Sequence, residues 1–198
     1  MFWKNGDKLR KKDLTERGFS GMNVKGSKTE QNLLAAFAGE SMAANKYDFF
    51  GEQAAKEGYE QIKGYFWETA DNERQHAKRI FRFLGGVGTT EDNLKAGAEG
   101  EHEEWADIYK EMEQVAKEEG FEEIALFFRN LASVEKEHEV RYQALLRLMQ
   151  EKRVFQDTEQ TVWVCRNCGF VYVGAEPPKT CPVCQHPQAF FERKAKNY

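Results

Sequence analysis

Residues 1–164 contain no cysteine and no proline. The missing cysteines exclude a disulfide-dense scaffold. The missing prolines remove the residue that most often breaks a helix interior. No apolar run approaches the roughly 18 residues of a membrane span, so a membrane protein is not expected. The charged start lacks the apolar core of a secretory signal. Cations are slightly outnumbered, 29 Lys and Arg against 33 Asp and Glu, for a formal net charge of −4. That balance speaks against a nucleic-acid binder, which would carry a dominant basic face. The 198 residues allow one medium domain or a domain with a small module, and are enough to bury a core.

What is present is unevenly placed. All four cysteines lie between Cys165 and Cys184, and all four prolines between Pro177 and Pro187. The long proline-free stretch is rich in Ala, Glu, Lys, Leu and Phe, which favours helices. The last 40 residues shift to Val, Trp, Phe, Tyr, Pro and Gly. We therefore expect a helical domain over 28–153 and a small module over 160–198, joined by a short polar linker. Before them lies a basic arm, 1–27. Through Lys28 it holds eight basic and three acidic residues, as expected of a solvated arm. Asp7, Asp13 and Glu16 argue against a transit peptide.

Ser27-Lys28-Thr29-Glu30 has capping-box spacing ahead of an apolar run. The periodicity predicts helices over 29–56, 59–84, 98–118 and 121–152, with a loop through Gly88, Thr90 and Gly97 between the second and third. Short turns at Gly58 and Gly120 make each successive pair an antiparallel hairpin. The two hairpins repeat one another. Gly58 answers Gly120, Ile62 answers Ile124, Phe66 answers Phe128, Glu73 answers Glu135 and His76 answers His138, each 62 positions apart. Glu40 answers Glu101 at 61, one residue out of step. The self-similarity predicts a duplicated hairpin and a bundle with internal pseudo-two-fold symmetry.

Charged residues interrupt the apolar stripes. The second helix reads Ile62, Phe66, Thr69, then Glu73 and His76, then Ile80 and Phe83. The fourth reads Ile124, Phe128, Leu131, then Glu135 and His138, then Tyr142, Leu145 and Met149. Glu40 lies on the stripe Leu33, Phe37, Ala44, Tyr47, and Glu101 and Glu104 precede Ile108, Met112 and Val115. Five carboxylates aimed at one core would each cost several kcal/mol unless cations met them. A Glu and a His three residues apart lie about 60° apart on one helix face, so both reach the same metal pair. One Glu from each of two helices and Glu-x-x-His from each of the other two is the di-metal arrangement of helical bundles. Carboxylate-rich ligation suits iron or manganese. Glu104 breaks the symmetry, since Ala43 is its counterpart, and provides a spare, movable ligand. Tyr47 and Tyr109, two turns past Glu40 and Glu101, are placed either to hydrogen-bond the ligands or to pack in the core.

Cys165-x-x-Cys168 and Cys181-x-x-Cys184, twelve residues apart, have the spacing of a tetrahedral four-thiolate site. The spacing alone suits zinc or a single iron. Trp163, Phe170, Tyr172, Phe190 and Phe191 provide the small core such a module needs beside its metal.

Together these motifs resemble the rubrerythrins over about residues 27–193. The resemblance is carried by AFAGES around Glu40, ADNERQHAKR around Glu73 and His76, GEHEEW around Glu101 and Glu104, VEKEHE around Glu135 and His138, and WVCRNCGFVY with CPVCQHPQAFFE. It implies a mainly α protein, in which a ferritin-like di-iron four-helix bundle is followed by a small rubredoxin-like β domain. It also implies a non-haem peroxidase that reduces hydrogen peroxide to water in oxidative-stress defence. Electrons would come from NAD(P)H through a separate reductase, or from a rubredoxin- or ferredoxin-type donor. The resemblance implies that Glu40, Glu73, Glu101 and Glu135 are di-iron carboxylates, with Glu73 and Glu135 bridging, and that His138 is a fixed nitrogen ligand. One iron moves between Glu104 when oxidised and His76 when reduced. Cys165, Cys168, Cys181 and Cys184 hold a further iron. A homodimer or larger homo-oligomer is implied, with one subunit's rubredoxin domain beside its partner's di-iron site. No nucleic-acid or membrane partner is expected. A cytoplasmic location is expected, although the arm, about 20 residues longer than the family leads one to expect, leaves organelle targeting open. The same bundle is compatible with a ferroxidase that uses oxygen, but iron storage needs no attached electron donor.

Overall fold

The computed structural model describes residues 23–195, so the basic arm through residue 22 lies outside the described residues. The chain forms two compact units, one through Val87 and one from Gly88. It is mainly helical, with four long rods and a small C-terminal antiparallel β module. No helix among the described residues is long and apolar enough to cross a membrane.

The first unit is a hairpin of α1 (Lys28–Lys56) and α2 (Glu60–Phe83). Ser27 caps α1 by accepting the Glu30 backbone N–H at 3.1 Å. The Glu30 carboxylate bonds back to the Gly26 N–H rather than that of Ser27. The turn closes at Gly58, whose φ of +85° belongs to the left-handed region that glycine tolerates best. The seam is made of small residues: Ala44, Gly51, Ala54, Ala70 and Ala77 are buried. Gly51 leaves room for the Trp67 ring, which a Cβ there would meet at 2.5 Å.

The second unit repeats the plan. Its first rod comprises α3 (Thr90–Glu103), a π-helical turn (Glu104–Ile108) and α4 (Tyr109–Glu118), and it packs on α5 (Glu122–Gln150). The turn again closes on a left-handed glycine, Gly120 at φ +83°. Phe121 N–H donates to Ala116 O at 2.8 Å, matching Tyr59 to Ala54 at 2.8 Å in the first hairpin. Ala98, Ala116 and Ala125 fill the seam. With small residues inside each hairpin, the larger apolar side chains fall on its outer faces. Ile62 and its counterpart Ile124 are 48% and 47% exposed.

The first rod of this unit starts eight residues earlier than the periodicity predicts. Thr89 and Asp92 form a reciprocal capping box that launches α3. Gly97, read from sequence as part of a loop, sits inside the helix. A Cβ there would be 3.1 Å from Tyr142 on α5, so this glycine allows a close helix approach rather than a break.

In the C-terminal module, β1 (Thr161–Cys165) lies between β2 (Val171–Gly174) and β3 (Phe191–Arg193), both antiparallel to it. Trp163, Cys165, Cys181 and Phe191 are buried, with Phe170 and Cys184 packed against them. The linker is held by Asp157. Its carboxylate accepts from Arg153, Thr161 and Arg193, and Arg193 also donates to the carbonyls of Arg153 and Gln156.

Candidate metal centres

Each hairpin builds a set of two carboxylates and one imidazole from its own helices. In the first, Glu40 on α1 meets Glu73 and His76 on α2. In the second, Glu101 on α3 meets Glu135 and His138 on α5. Within each set the ligand atoms lie within 4.8 Å of one another, so one cation about 2.0–2.2 Å from each is reached with shifts of a few tenths of an ångström. The two sets have nearly the same geometry. His76 Nδ1 is 2.8 Å from Glu73 and 3.7 Å from Glu40. His138 Nδ1 is 2.6 Å from Glu135 and 3.7 Å from Glu101. The duplication read in the sequence is thus repeated in space.

The electrostatics show clustered acid groups. The Glu40 carboxyl is pushed up by its hydrogen bond to Glu73, then by desolvation. Glu73 is pushed down because it accepts from Glu40 and from His76. The two carboxyls are therefore pushed in opposite directions, Glu40 up and Glu73 down. Glu101 is pushed up by burial, then by the charge of Glu135. Glu135 is itself buried. Carboxylates clustered beside an imidazole in this way are a ligand set that a cation can neutralise.

Glu104 lies outside both three-residue sets and opens the π turn. The turn explains the slip in the repeat. Glu40 and Glu101 are 61 positions apart, while Tyr47 and Tyr109 are 62 apart, and the extra residue falls within Glu104–Ile108. A single π turn inserts one residue without ending the helix, and such turns concentrate at functional sites. Burial, then a hydrogen bond to Glu104, pushes the Tyr109 hydroxyl above its ordinary value. Tyr109 also stacks on Phe128 at 6.1 Å, as Tyr47 stacks on Phe66 at 6.2 Å. The two tyrosines therefore differ: both pack on an aromatic ring, and Tyr109 also holds Glu104.

Sequence reasoning missed one polar group beside the second set. Glu139 accepts from Trp105 Nε1 at 2.5 Å and meets His102 Nδ1 at 3.1 Å. His102 and Glu139 directly follow Glu101 and His138 in sequence, which is the only sequence signal for them.

The four thiols of the C-terminal module converge. Cys165 Sγ is 3.7 Å from Cys184 Sγ, and Cys168 Sγ is 3.6 Å from Cys181 Sγ. Metal–thiolate bonds of about 2.3 Å give a tetrahedron with edges of about 3.8 Å, so the cradle fits an ion with little movement. Backbone N–H groups are aimed at the sulfurs. The His186 N–H is the main cause holding the Cys184 thiol down to about 6. Cys168 receives the Phe170 N–H, yet desolvation and its bonds with the other three thiols push it up to about 12. Cys165 and Cys181 are buried, whereas Cys168 is exposed, so one edge of the cluster faces solvent.

A family model described as Rubrerythrin matches residues 31–146, and one described as the rubredoxin-like domain of rubrerythrin matches 163–192. Rubrerythrin of Porphyromonas gingivalis is 52% identical over 189 residues, covering 89% of this chain and 94% of its own length. Rubrerythrin of Nitratidesulfovibrio vulgaris is 46% identical over 189 residues, covering 89% of this chain and 99% of its own. A solved structure of partially reduced nigerythrin is 28% identical, with coverages of 88% and 90% and a TM-score of 0.33.

Proposed function

This chain belongs to the rubrerythrin family, and on that premise we propose that it is a non-haem di-iron peroxidase that reduces hydrogen peroxide to water. Iron is the metal at both kinds of centre. The observation that carries the reading is a pre-shaped four-thiolate cradle on the same chain as two matched Glu-Glu-His sets. The cradle suits a one-electron carrier, and the carboxylate sets suit the reacting pair. In this reading 28–153 is the di-iron domain, 160–198 the rubredoxin-like domain, and 1–27 an appended arm.

When bound, the irons supply the two electrons that, with two protons, convert one peroxide into two waters. The chain's residues hold, tune and protonate. Glu40, Glu73, Glu101, Glu135 and His138 would hold the pair, with Glu73 and Glu135 as its shared carboxylates. Glu104 and His76 would be the two alternative ligands for one of the ions. The π turn frees Glu104 from the helical phase that fixes its neighbours, and the Tyr109 hydroxyl steadies its carboxylate. Glu40 and Glu73, hydrogen-bonded to each other, are placed to carry a proton. The N–H groups of Phe170 and His186 stabilise thiolate charge at the cradle, and the exposed Cys168 edge is where a donor delivers electrons. That donor is an NAD(P)H-linked reductase or a small rubredoxin- or ferredoxin-type protein, and the location is cytoplasmic.

The test is a pair of substitutions read by peroxide turnover. Glu104→Ala is expected to slow turnover by far more than it lowers iron content. Cys184→Ser is expected to abolish donor-driven turnover while the helical signal is kept. Unchanged peroxide turnover in the first would sink the role of Glu104. Undiminished donor-driven turnover in the second would refute the relay.

A further inference from the structure

The two hairpins share a plan, and the second departs from it at one place. In the first, α1 runs unbroken past Ala44, which is buried, as is Ala77 on α2. The second hairpin puts Trp105 and Glu139 at these positions, 61 and 62 residues on. It also puts His102 where the first has Ser41, 61 residues back. A seam closed by two alanines is therefore enough for the fold. The larger polar pair coincides with the π turn and with Glu104.

The π turn has to be held in place. The Tyr109 N–H donates to Glu104 O, five residues back, which is the widened bond of such a turn. A surplus residue leaves the α-helical bonding before and after it intact, so the backbone alone does not decide which turn carries it. Side chains must decide. The position matters, because each residue of an α-helix turns the chain by about 100°. Glu104 follows Glu101 by three residues and shares its face. A surplus residue between them would rotate Glu104 off that face by about 100°. Five residues of plain α-helix would set Tyr109 about 140° from Glu104, too far round to reach its carboxylate. The π turn between them brings the two together.

Trp105 is the second residue of the turn, and it is gripped from α5. Its Nε1 donates to Glu139 Oε2 at 2.5 Å, a bond between residues 34 apart. The Glu139 side chain is only 12% exposed. It is fixed by two further partners, His102 Nδ1 at 3.1 Å and Gln143 Nε2 at 2.7 Å. The indole is also flanked by Lys110 of α4 and Lys136 of α5, each with its ammonium 5.2 Å from the ring centroid. The Glu104–Tyr109 contact lies within one rod and travels with it. The Trp105–Glu139 bond crosses to the other rod, so it can fix where the turn sits. A hydrogen bond to a part-buried carboxylate is of the stronger kind.

We propose that Glu139 is a positioning residue for Glu104: through the Trp105 indole it fixes the π turn at this one place in the rod, so that Glu104 stays on the face of Glu101 and within reach of Tyr109. Glu139 itself lies outside the three-residue ligand sets. The inference rests on the di-iron reading above for its effect on turnover, and not for its effect on the turn.

Amide hydrogen exchange, read by mass spectrometry on the full chain both iron-loaded and metal-free, tests the anchor. Glu139→Leu is expected to speed exchange over residues 104–109 by about 10-fold in both forms, with the first hairpin unchanged. Trp105→Phe keeps a ring and removes the donor; it should do the same, and it guards against misfolding of the first variant. The double variant should exchange no faster than either single one, because both remove the same bond. Glu139→Gln keeps an oxygen for the indole N–H and should return exchange to within about 2-fold of wild type. In the loaded protein, Glu139→Leu should lower kcat for peroxide by about 10- to 100-fold at unchanged iron content and KM. Glu139→Gln should restore most of that loss. Unchanged exchange over 104–109 in Glu139→Leu or Trp105→Phe, additive effects in the double variant, or no rescue by Glu139→Gln would overturn the proposal. Faster local exchange with kcat intact would overturn the link to Glu104. Wild-type protein holding no iron beyond the cysteines would instead overturn the di-iron reading, and the exchange result would stand without it.

Discussion

Trp163→Phe should weaken the cysteine module without disturbing the helices. Trp163 is fully buried beside Cys165 and Cys181. Its Nε1 donates to Gly174 O at 2.9 Å, tying the face of β1 to the end of β2. The Arg193 guanidinium sits 5.0 Å over its ring. Phenylalanine leaves a void of about 40 Å³, costing about 1 kcal/mol. The lost apolar contact costs about 1 kcal/mol more, and the unpaired Gly174 carbonyl about another 1 kcal/mol. A total near 3 kcal/mol raises the open population of the module about 100-fold. The assay is loss of ferric–thiolate absorption from the full chain under excess chelator, with far-ultraviolet dichroism following the helices. Iron loss about 100-fold faster at constant helicity is expected. A change below about 3-fold would refute the reasoning that Trp163 holds the cradle closed.

Other outcomes follow from the same packing. Gly51→Ala should lower stability by about 1–3 kcal/mol by driving a methyl into Trp67, whereas Gly64→Ala, with open space around it, should raise it by up to about 1 kcal/mol; equal melting temperatures for the two would contradict the account of the seam. Thr89→Ala removes one side of the capping box and should cost about 1 kcal/mol, seen as faster hydrogen exchange in the first turn of α3. Arg153, then the Thr158 N–H, hold the Asp157 carboxyl well below its ordinary value of 3.8. A depressed folded-state value means that its stabilisation is present above 3.8 and lost as pH falls below it. Asp157→Asn should therefore flatten the fall in melting temperature of the module between neutral and acid pH, and an unaltered pH profile would exclude Asp157 as the hub of the linker.

Much of the fold is legible because its signals are local. A proline-free run with glycine turns gives the four rods, and paired Cys-x-x-Cys knuckles give the module. The half-sites are legible because Glu73, His76, Glu135 and His138 occupy stripe positions that packing would otherwise fill with apolar residues. The start of α3 is harder to see, because Gly97 reads as a breaker unless its approach to Tyr142 is known. The π turn leaves a single trace, the step from 61 to 62 in the repeat, and that trace has no meaning until the helix is seen to continue through Glu104. The roles of Glu139 and His102, and the tie of Asp157 to Arg193, depend on contacts from 34 or more residues away, and no spacing rule reports those.

The measurement that most directly tests the central claim is the visible spectrum of the anaerobically reduced, iron-loaded protein mixed with one equivalent of hydrogen peroxide, beside the same experiment with oxygen. The account predicts rapid return of the ferric–thiolate absorption with peroxide, much faster than with oxygen, because electrons leave the cysteine-bound iron for peroxide reduced at the carboxylate site. Rapid return with oxygen and sluggish return with peroxide would contradict it and favour an oxygen-using ferroxidase.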